Sequence, residues 1–95
     1  MDSNCGEAYV SKSNCLLQLE RNDEAIEICR KAIDINSRDN DYYAQVYINW
    51  GCAQLGNNNY LEAIGFLDKA LEYKSSNQEI QTMIYTNYSN AMLIF

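Results

Sequence analysis

The chain has 95 residues, and thirteen acidic against seven basic side chains give it a net charge of −6 at neutral pH. This length suits one domain. The acidic balance argues against a nucleic-acid binder, because phosphate contacts need clustered Lys and Arg, and against adhesion to anionic membranes. The absence of histidine removes the commonest metal ligand and the usual general base, whereas the absence of proline leaves long helices uninterrupted.

The four cysteines show no Cys-x-x-Cys spacing of the kind found in zinc sites. The N-terminal residues lack the basic start and apolar run of a signal peptide, and no apolar stretch is long enough to span a bilayer. We therefore expect reduced cysteines, no metal or cofactor, no membrane association and a cytoplasmic location.

Five helices are predicted in chain order. The first pair covers about 6–19 and 23–36 and is followed by a polar link around residues 37–40. The next helix carries apolar residues at three- and four-residue steps and ends at the Gly- and Asn-rich run 56–59. The fourth helix follows that run, and the fifth covers 78–95.

Two capping boxes are predicted from Asn or Ser followed three residues later by Glu. Asn59 with Glu62 is expected to begin the fourth helix, and Ser76 with Glu79 the fifth. Both pairs stand directly before an apolar stripe, which is typical of a helix N-terminus.

The chain repeats itself when it is shifted by 38 residues. Residues of the same kind then coincide, as in the sets Tyr9, Tyr47 and Tyr85; Ser13, Gly51 and Ser89; and Cys15, Ala53 and Ala91. Small residues at fixed places predict close approach of helices, and the large apolar residues between them predict a shared core. Helix pairs of this kind bury their apolar faces by stacking on one another.

These repeats resemble the tetratricopeptide repeat. The runs NDEAIEICRKAIDIN (22–36) and NYLEAIGFLDKALEY (59–73) are similar to the second helix of that family's repeat. Ser37 and Ser75 stand where the family usually has proline. The spacing of 38 residues exceeds the usual 34 by about one helical turn, which we interpret as a longer first helix. The resemblance implies an all-α, right-handed solenoid forming one domain over 1–95, with repeats at about 6–39 and 40–77 and a terminal helix at 78–95.

In this family the first helices line a concave groove that holds a partner. The resemblance therefore implies a protein-binding adaptor or scaffold that takes a peptide or helical segment, and no enzyme; no nucleophile–base pair, phosphate loop or metal cluster speaks for catalysis. The candidate groove residues are Val10, Asn14, Gln45, Asn49, Cys52, Met83, Asn87 and Asn90.

Asn14 and Asn49 occupy places where chaperone-binding members hold a peptide's backbone and terminal carboxylate. Those members surround the asparagines with Lys and Arg, but Val10, Met83 and Asn87 stand there in this chain. We therefore do not predict a carboxylate clamp. Two interpretations stay open: asparagine at these places is structural, or Asn14, Asn49, Asn87 and Asn90 form a neutral polar ladder for an extended or helical partner segment.

The aromatic residues divide into two predicted groups. Tyr9, Tyr47 and Tyr85 are expected in the core, because they recur at a packing position of the repeat. Trp50 is expected there as well. The pair Tyr42–Tyr43 lies in the added turn and is a candidate for an exposed contact.

The apolar C-terminal segment gives a second hypothesis. Met92, Leu93 and Phe95 have no following helix to cover them in this sequence, and exposed apolar surface usually marks a contact. The chain is then a structural subunit or assembly factor held through this helix, a homodimer, or a fragment of a longer array. A tail that folds back on itself is the remaining interpretation.

Overall fold

The computed structural model describes residues 4–35 and 39–94. Those residues form five helices and no strand, so the predicted all-α class is confirmed. The helices are α1 (Asn4–Gln18), α2 (Asn22–Ile33), α3 (Asn40–Gly56), α4 (Tyr60–Glu72) and α5 (Gln78–Ile94). α1, α2, α4 and α5 begin within two residues of their predicted starts, whereas α2 ends three residues earlier than predicted, at Ile33. The proposed repeat boundaries remain predictions.

The helices form two layers. α1 packs on α2 and α3 on α4, while α3 also contacts α1 and α5. Within the described residues α2 and α4 do not touch each other. The first layer therefore consists of α1, α3 and α5, and the second of α2 and α4, which is the arrangement of a right-handed helical-repeat solenoid.

Small buried residues allow the helices to approach closely. Ala25, Ala53 and Ala63 are fully buried at helix–helix contacts. At Gly51, an added Cβ would lie 3.3 Å from the carbonyl oxygen of Ala63 and 3.4 Å from Cγ of Leu67. This position on α3 therefore accepts only a small residue where α4 crosses it.

Both predicted capping boxes are wrong. The side chain of Asn59 makes no cap hydrogen bond; its Nδ2 instead donates to Oε1 of Gln54 at 2.8 Å, which ties the turn to the end of α3. At α5 the cap is one residue later than predicted: Oδ1 of Asn77 accepts from the backbone N–H of Glu79 at 2.8 Å. Asn77 thereby satisfies a donor that the first helical turn leaves unpaired.

The tyrosines of the added turn are not exposed contacts, so that prediction is wrong. Tyr42 is buried, and its hydroxyl donates to the carbonyl oxygen of Ala32 at 2.6 Å. Tyr43 is half-buried and donates to the carbonyl oxygen of Ile35 at 2.8 Å. Both hydroxyls reach the C-terminal end of α2, where backbone carbonyls lack partners within the helix. The added turn thus anchors α3 to the preceding repeat.

Aromatic rings fill the junction of α3 and α4. Phe66 stacks on Trp50 with ring centroids 4.5 Å apart, and Tyr47 stacks on Phe66 at 6.2 Å. Tyr73 of the α4 end stacks on Tyr43 at 5.4 Å. Tyr47 and Trp50 are therefore packing residues, although both remain half-buried rather than fully buried. The core prediction is wrong for Tyr85, which is exposed because no helix of the described chain covers that side of α5.

Candidate functional site

The predicted groove residues lie on the three helices of the first layer. The structure leaves most of them partly or fully accessible: Val10 and Asn14 on α1, Gln45 and Cys52 on α3, and Met83, Asn87 and Asn90 on α5. Asn49 is the exception, since its side chain is only 3 % exposed. We call the accessible first-layer surface of α1, α3 and α5 the groove.

Asn49 lies inside the first layer. Its Nδ2 donates to Oγ of Ser13 at 2.8 Å, and that hydroxyl donates in turn to the carbonyl oxygen of Val10 at 2.8 Å. The amide therefore links α3 to α1. We correct the sequence prediction at this residue: Asn49 takes the structural role that the sequence left open.

A depression of about 490 Å³ lies in the groove between α1 and α3. It brings together three predicted residues, Val10, Asn14 and Gln45, and its wall is completed by Glu7, Ser11, Asp39, Asp41 and Tyr42. The prediction missed the two aspartates because they belong to the start of α3, where Oδ1 of Asp39 accepts from the backbone N–H of Asp41 at 2.9 Å. The depression thus combines amide groups with carboxylates.

A second contact joins α3 to α5. Burial raises the pKa of the Cys52 thiol, and a hydrogen bond between that thiol and Asn87 acts in the opposite sense. The Asn87 amide also donates to the carbonyl oxygen of Met83 at 2.9 Å. These three predicted residues are therefore neighbours. The protonated thiol makes this part of the groove uncharged at neutral pH.

Most basic residues of the described ranges lie outside the first layer of helices. α3 and α5 contain no Lys or Arg, and α1 contains only Lys12. The other basic residues of the described ranges belong to α2, α4 and the turns: Arg21, Arg30, Lys31, Lys69 and Lys74. As far as the described residues form it, the groove is consequently neutral to acidic, and they supply no cationic clamp for a carboxylate or phosphate group.

The sequence of residues 5–76 matches the tetratricopeptide repeat family. The chain belongs to this family. Tetratricopeptide repeats generally mediate protein–protein interaction and are generally not enzymes. No curated protein and no solved structure matched the chain significantly.

The family match covers the first four helices of this tetratricopeptide repeat chain and ends before α5. α5 carries the apolar residues of the second hypothesis: Met92 is 59 % exposed and Leu93 84 %. Phe95, the third residue of that prediction, lies outside the described residues. In the described part of the chain, no helix has the length and apolar character needed to cross a membrane.

Proposed function

We propose that this tetratricopeptide repeat chain is a protein-binding adaptor or scaffold whose groove takes a peptide or helical segment of a partner protein. The observation that carries the proposal is the depression between α1 and α3, where Asn14 and Gln45 stand beside Glu7 and Asp41. Each amide offers two donors and one acceptor oxygen, which suits the backbone of a polypeptide segment.

The charges indicate which segments bind. Carboxylates around the depression favour Lys or Arg in the partner, and they disfavour acidic peptides, because like charges brought together at an interface weaken binding. We therefore expect a neutral or basic segment. The free thiols of Cys15, Cys29 and Cys52 suit a reducing compartment, and we place this activity in the cytoplasm.

The test is a selection from a displayed library of random peptides on the immobilised full chain. The affinities of enriched peptides are then measured by fluorescence anisotropy for the wild type and for the double variant Asn14→Ala, Gln45→Ala. The variant should bind at least about tenfold more weakly, a loss of roughly 1.4 kcal/mol. Asp68→Asn, an exposed change on the outer helix α4, is the matched control. Equal binding by the wild type and the double variant would contradict the groove proposal.

The second candidate is a structural subunit or assembly factor, or a homodimer, held through α5. The exposure of Met92 and Leu93 favours it, because adjacent apolar side chains in water mark a contact surface. Light scattering across a concentration series measures the mass of the chain. A dimer should dissociate when both residues are changed to Asp and should persist in the Asn14→Ala, Gln45→Ala variant. A monomer at every concentration would exclude the homodimer.

A further inference from the structure

α5 has a face whose counterparts on α1 and α3 are covered by a second helix. We call this face the α5 seat and define it by Tyr85, Tyr88, Ser89 and Met92. Shifted back by 38 residues, three of these positions fall on Tyr47, Gly51 and Gln54 of α3, and a further shift reaches Tyr9, Ser13 and Leu16 of α1. The helix starts agree with this register, since α3 and α5 begin at Asn40 and Gln78.

The counterparts of Ser89 and Met92 are buried, whereas Ser89 and Met92 themselves are exposed. On α1, Ser13 is 2 % exposed, and Leu16 packs with Ala25 and Ile28 of α2. On α3, Gln54 is 8 % exposed. On α5, by contrast, Met92 is 59 % exposed. The position that Met92 occupies is therefore buried in the first two helix pairs and exposed to solvent on α5.

The two covered faces show what chemistry fits such a seat. α4 places Ala63 and Leu67 against Gly51, and it places Phe66 on the ring of Trp50. α2 has Ala25, Ile28, Cys29 and Ala32 at the matching positions of its own sequence. Both helices thus share the pattern Ala-x-x-apolar-apolar-x-x-Ala. On α3 this pattern places Ala63 close to Gly51 and Phe66 over the ring of Trp50.

Ser89 suits the close approach that this pattern requires. Its counterpart Ser13 lies in the covered first pair, where its hydroxyl donates to the carbonyl oxygen of Val10 at 2.8 Å. A serine therefore fits the position without holding the second helix away. Tyr85 and Tyr88, whose ring centroids are 6.4 Å apart, stand where Tyr47 and Trp50 receive Phe66 on α3. The seat thus has both a small contact point and an aromatic platform.

We propose that the α5 seat binds an amphipathic helix of another protein that carries the pattern Ala-x-x-apolar-apolar-x-x-Ala, completing a third helix pair. α2 and α4 are already packed in their own pairs. The inference concerns a surface other than the groove and does not rest on groove binding.

The experiment uses a probe of known sequence, a fluorescein-labelled peptide of residues 58–74, which contains the α4 pattern. It is titrated with the full-length chain and followed by anisotropy. Saturable binding is expected, with a gain of helical circular dichroism, because a peptide of this length is scarcely helical alone. Changing Ala63 to Leu within the probe should weaken binding at least about tenfold, because the close contact is then blocked.

Variants of the chain locate the binding. Ser89→Leu should weaken binding of the peptide at least about tenfold, because the larger side chain blocks the close helix contact. Ser89→Ala should leave the affinity for the peptide within about twofold of the wild type. Asn90→Leu is the matched control: it places the same side chain on the neighbouring exposed position, which faces the groove. Both sites, Ser89 and Asn90, are exposed, so the folding of all three variants is checked by circular dichroism.

Three results would overturn the proposal. One is the absence of saturable binding up to about 1 mM peptide. Another is equal binding by the wild type and Ser89→Leu, since the peptide then sits elsewhere, for example in the place of α4. The third is a wild-type dimer that does not bind the peptide and that Ser89→Leu dissociates, because the occupant is then a second copy of the chain.

Discussion

The hydrogen bond between Asn49 and Ser13 gives the most direct test of how the first layer is held together. Ser13→Ala removes the hydroxyl that accepts from Nδ2 of Asn49 at 2.8 Å. The amide is 3 % exposed, so water does not replace the lost partner. Within the described residues, every buried polar side-chain atom has a hydrogen-bond partner. Ser13→Ala would therefore leave one buried donor, Nδ2 of Asn49, without an acceptor.

The size of the effect follows from that stranded donor. Leaving a buried amide unsatisfied costs about 1–3 kcal/mol. In a domain of this length each kcal/mol lowers Tm by about 4–8 °C. Asn49→Leu removes the donor together with the need for an acceptor. Ser13→Ala should consequently destabilise the Asn49→Leu chain much less than the wild type, with a coupling of about 1 kcal/mol between the two positions.

The assay is urea unfolding followed by circular dichroism at the helical minimum, for the wild type, both single variants and the double variant. Ser11→Ala, an exposed serine on the same helix, is the control and should change stability by less than about 0.5 kcal/mol. An equal effect of Ser13→Ala in the wild-type and Asn49→Leu backgrounds would refute the reasoning, because the bond would then contribute nothing.

Three further predictions concern buried hydroxyl and thiol groups. Tyr42→Phe should lower the free energy of unfolding by about 1 kcal/mol, because it removes the 2.6 Å bond to the carbonyl oxygen of Ala32; Tyr60→Phe, whose hydroxyl bond is exposed, is the control in the same urea assay. In a Cys5→Ser chain, a thiol reagent should modify exposed Cys15 in the native protein and buried Cys29 only on unfolding; a Cys5→Ser, Cys15→Ser chain that keeps the fast phase would contradict this assignment. Burial raises the pKa of the Cys29 thiol from 9.0 to about 12, so the folded state holds this proton more tightly than the unfolded state. Stability should therefore be unaffected below pH 9.0 and fall as the pH rises from 9.0 towards 12; urea midpoints across this range should fall less steeply for Cys29→Ala.

The helix pairs follow from the sequence because the residues that determine them recur. Ala25 and Ala63, and Ala32 and Ala70, stand at the same places of α2 and α4, and the structure buries all four. A small residue at a fixed helical phase requires close contact with a neighbour, so it predicts both the helix and its packing face. The predicted five-helix order depended on such positions.

The burial of Asn49 could also have been predicted from the helical phase of the sequence, although a polar residue type suggested otherwise. Tyr42, Val46, Asn49 and Ala53 follow one another at steps of four and three residues, which place them on one stripe of α3. All four are buried. Helical phase would have placed Asn49 and Tyr42 in the interior, whereas the resemblance to peptide-binding repeats and the general preference of tyrosine for interfaces suggested the surface.

The hydrogen-bond partners of Asn59 and Asn77 could not be predicted from the sequence, because they depend on how the ends of two helices meet. Asn59 and Asn77 both precede a helix, yet only Asn77 caps its own helix. Asn59 bonds Gln54 of the preceding helix instead, as the short turn between α3 and α4 brings the two side chains together. Capping statistics describe one helix at a time, and here the neighbouring helix decides.

α5 shows how one helix can serve two surfaces of different chemistry. Met83, Asn87 and Asn90 face the groove, while Tyr85, Ser89 and Met92 lie on nearly the opposite side at about 100° per residue. The groove side of α5 carries amides, whereas the seat side carries aromatic rings around a small residue. A neutral or basic peptide and an apolar helix would therefore not compete. If both proposals hold, the chain joins two partners on two sides of one helix, α5.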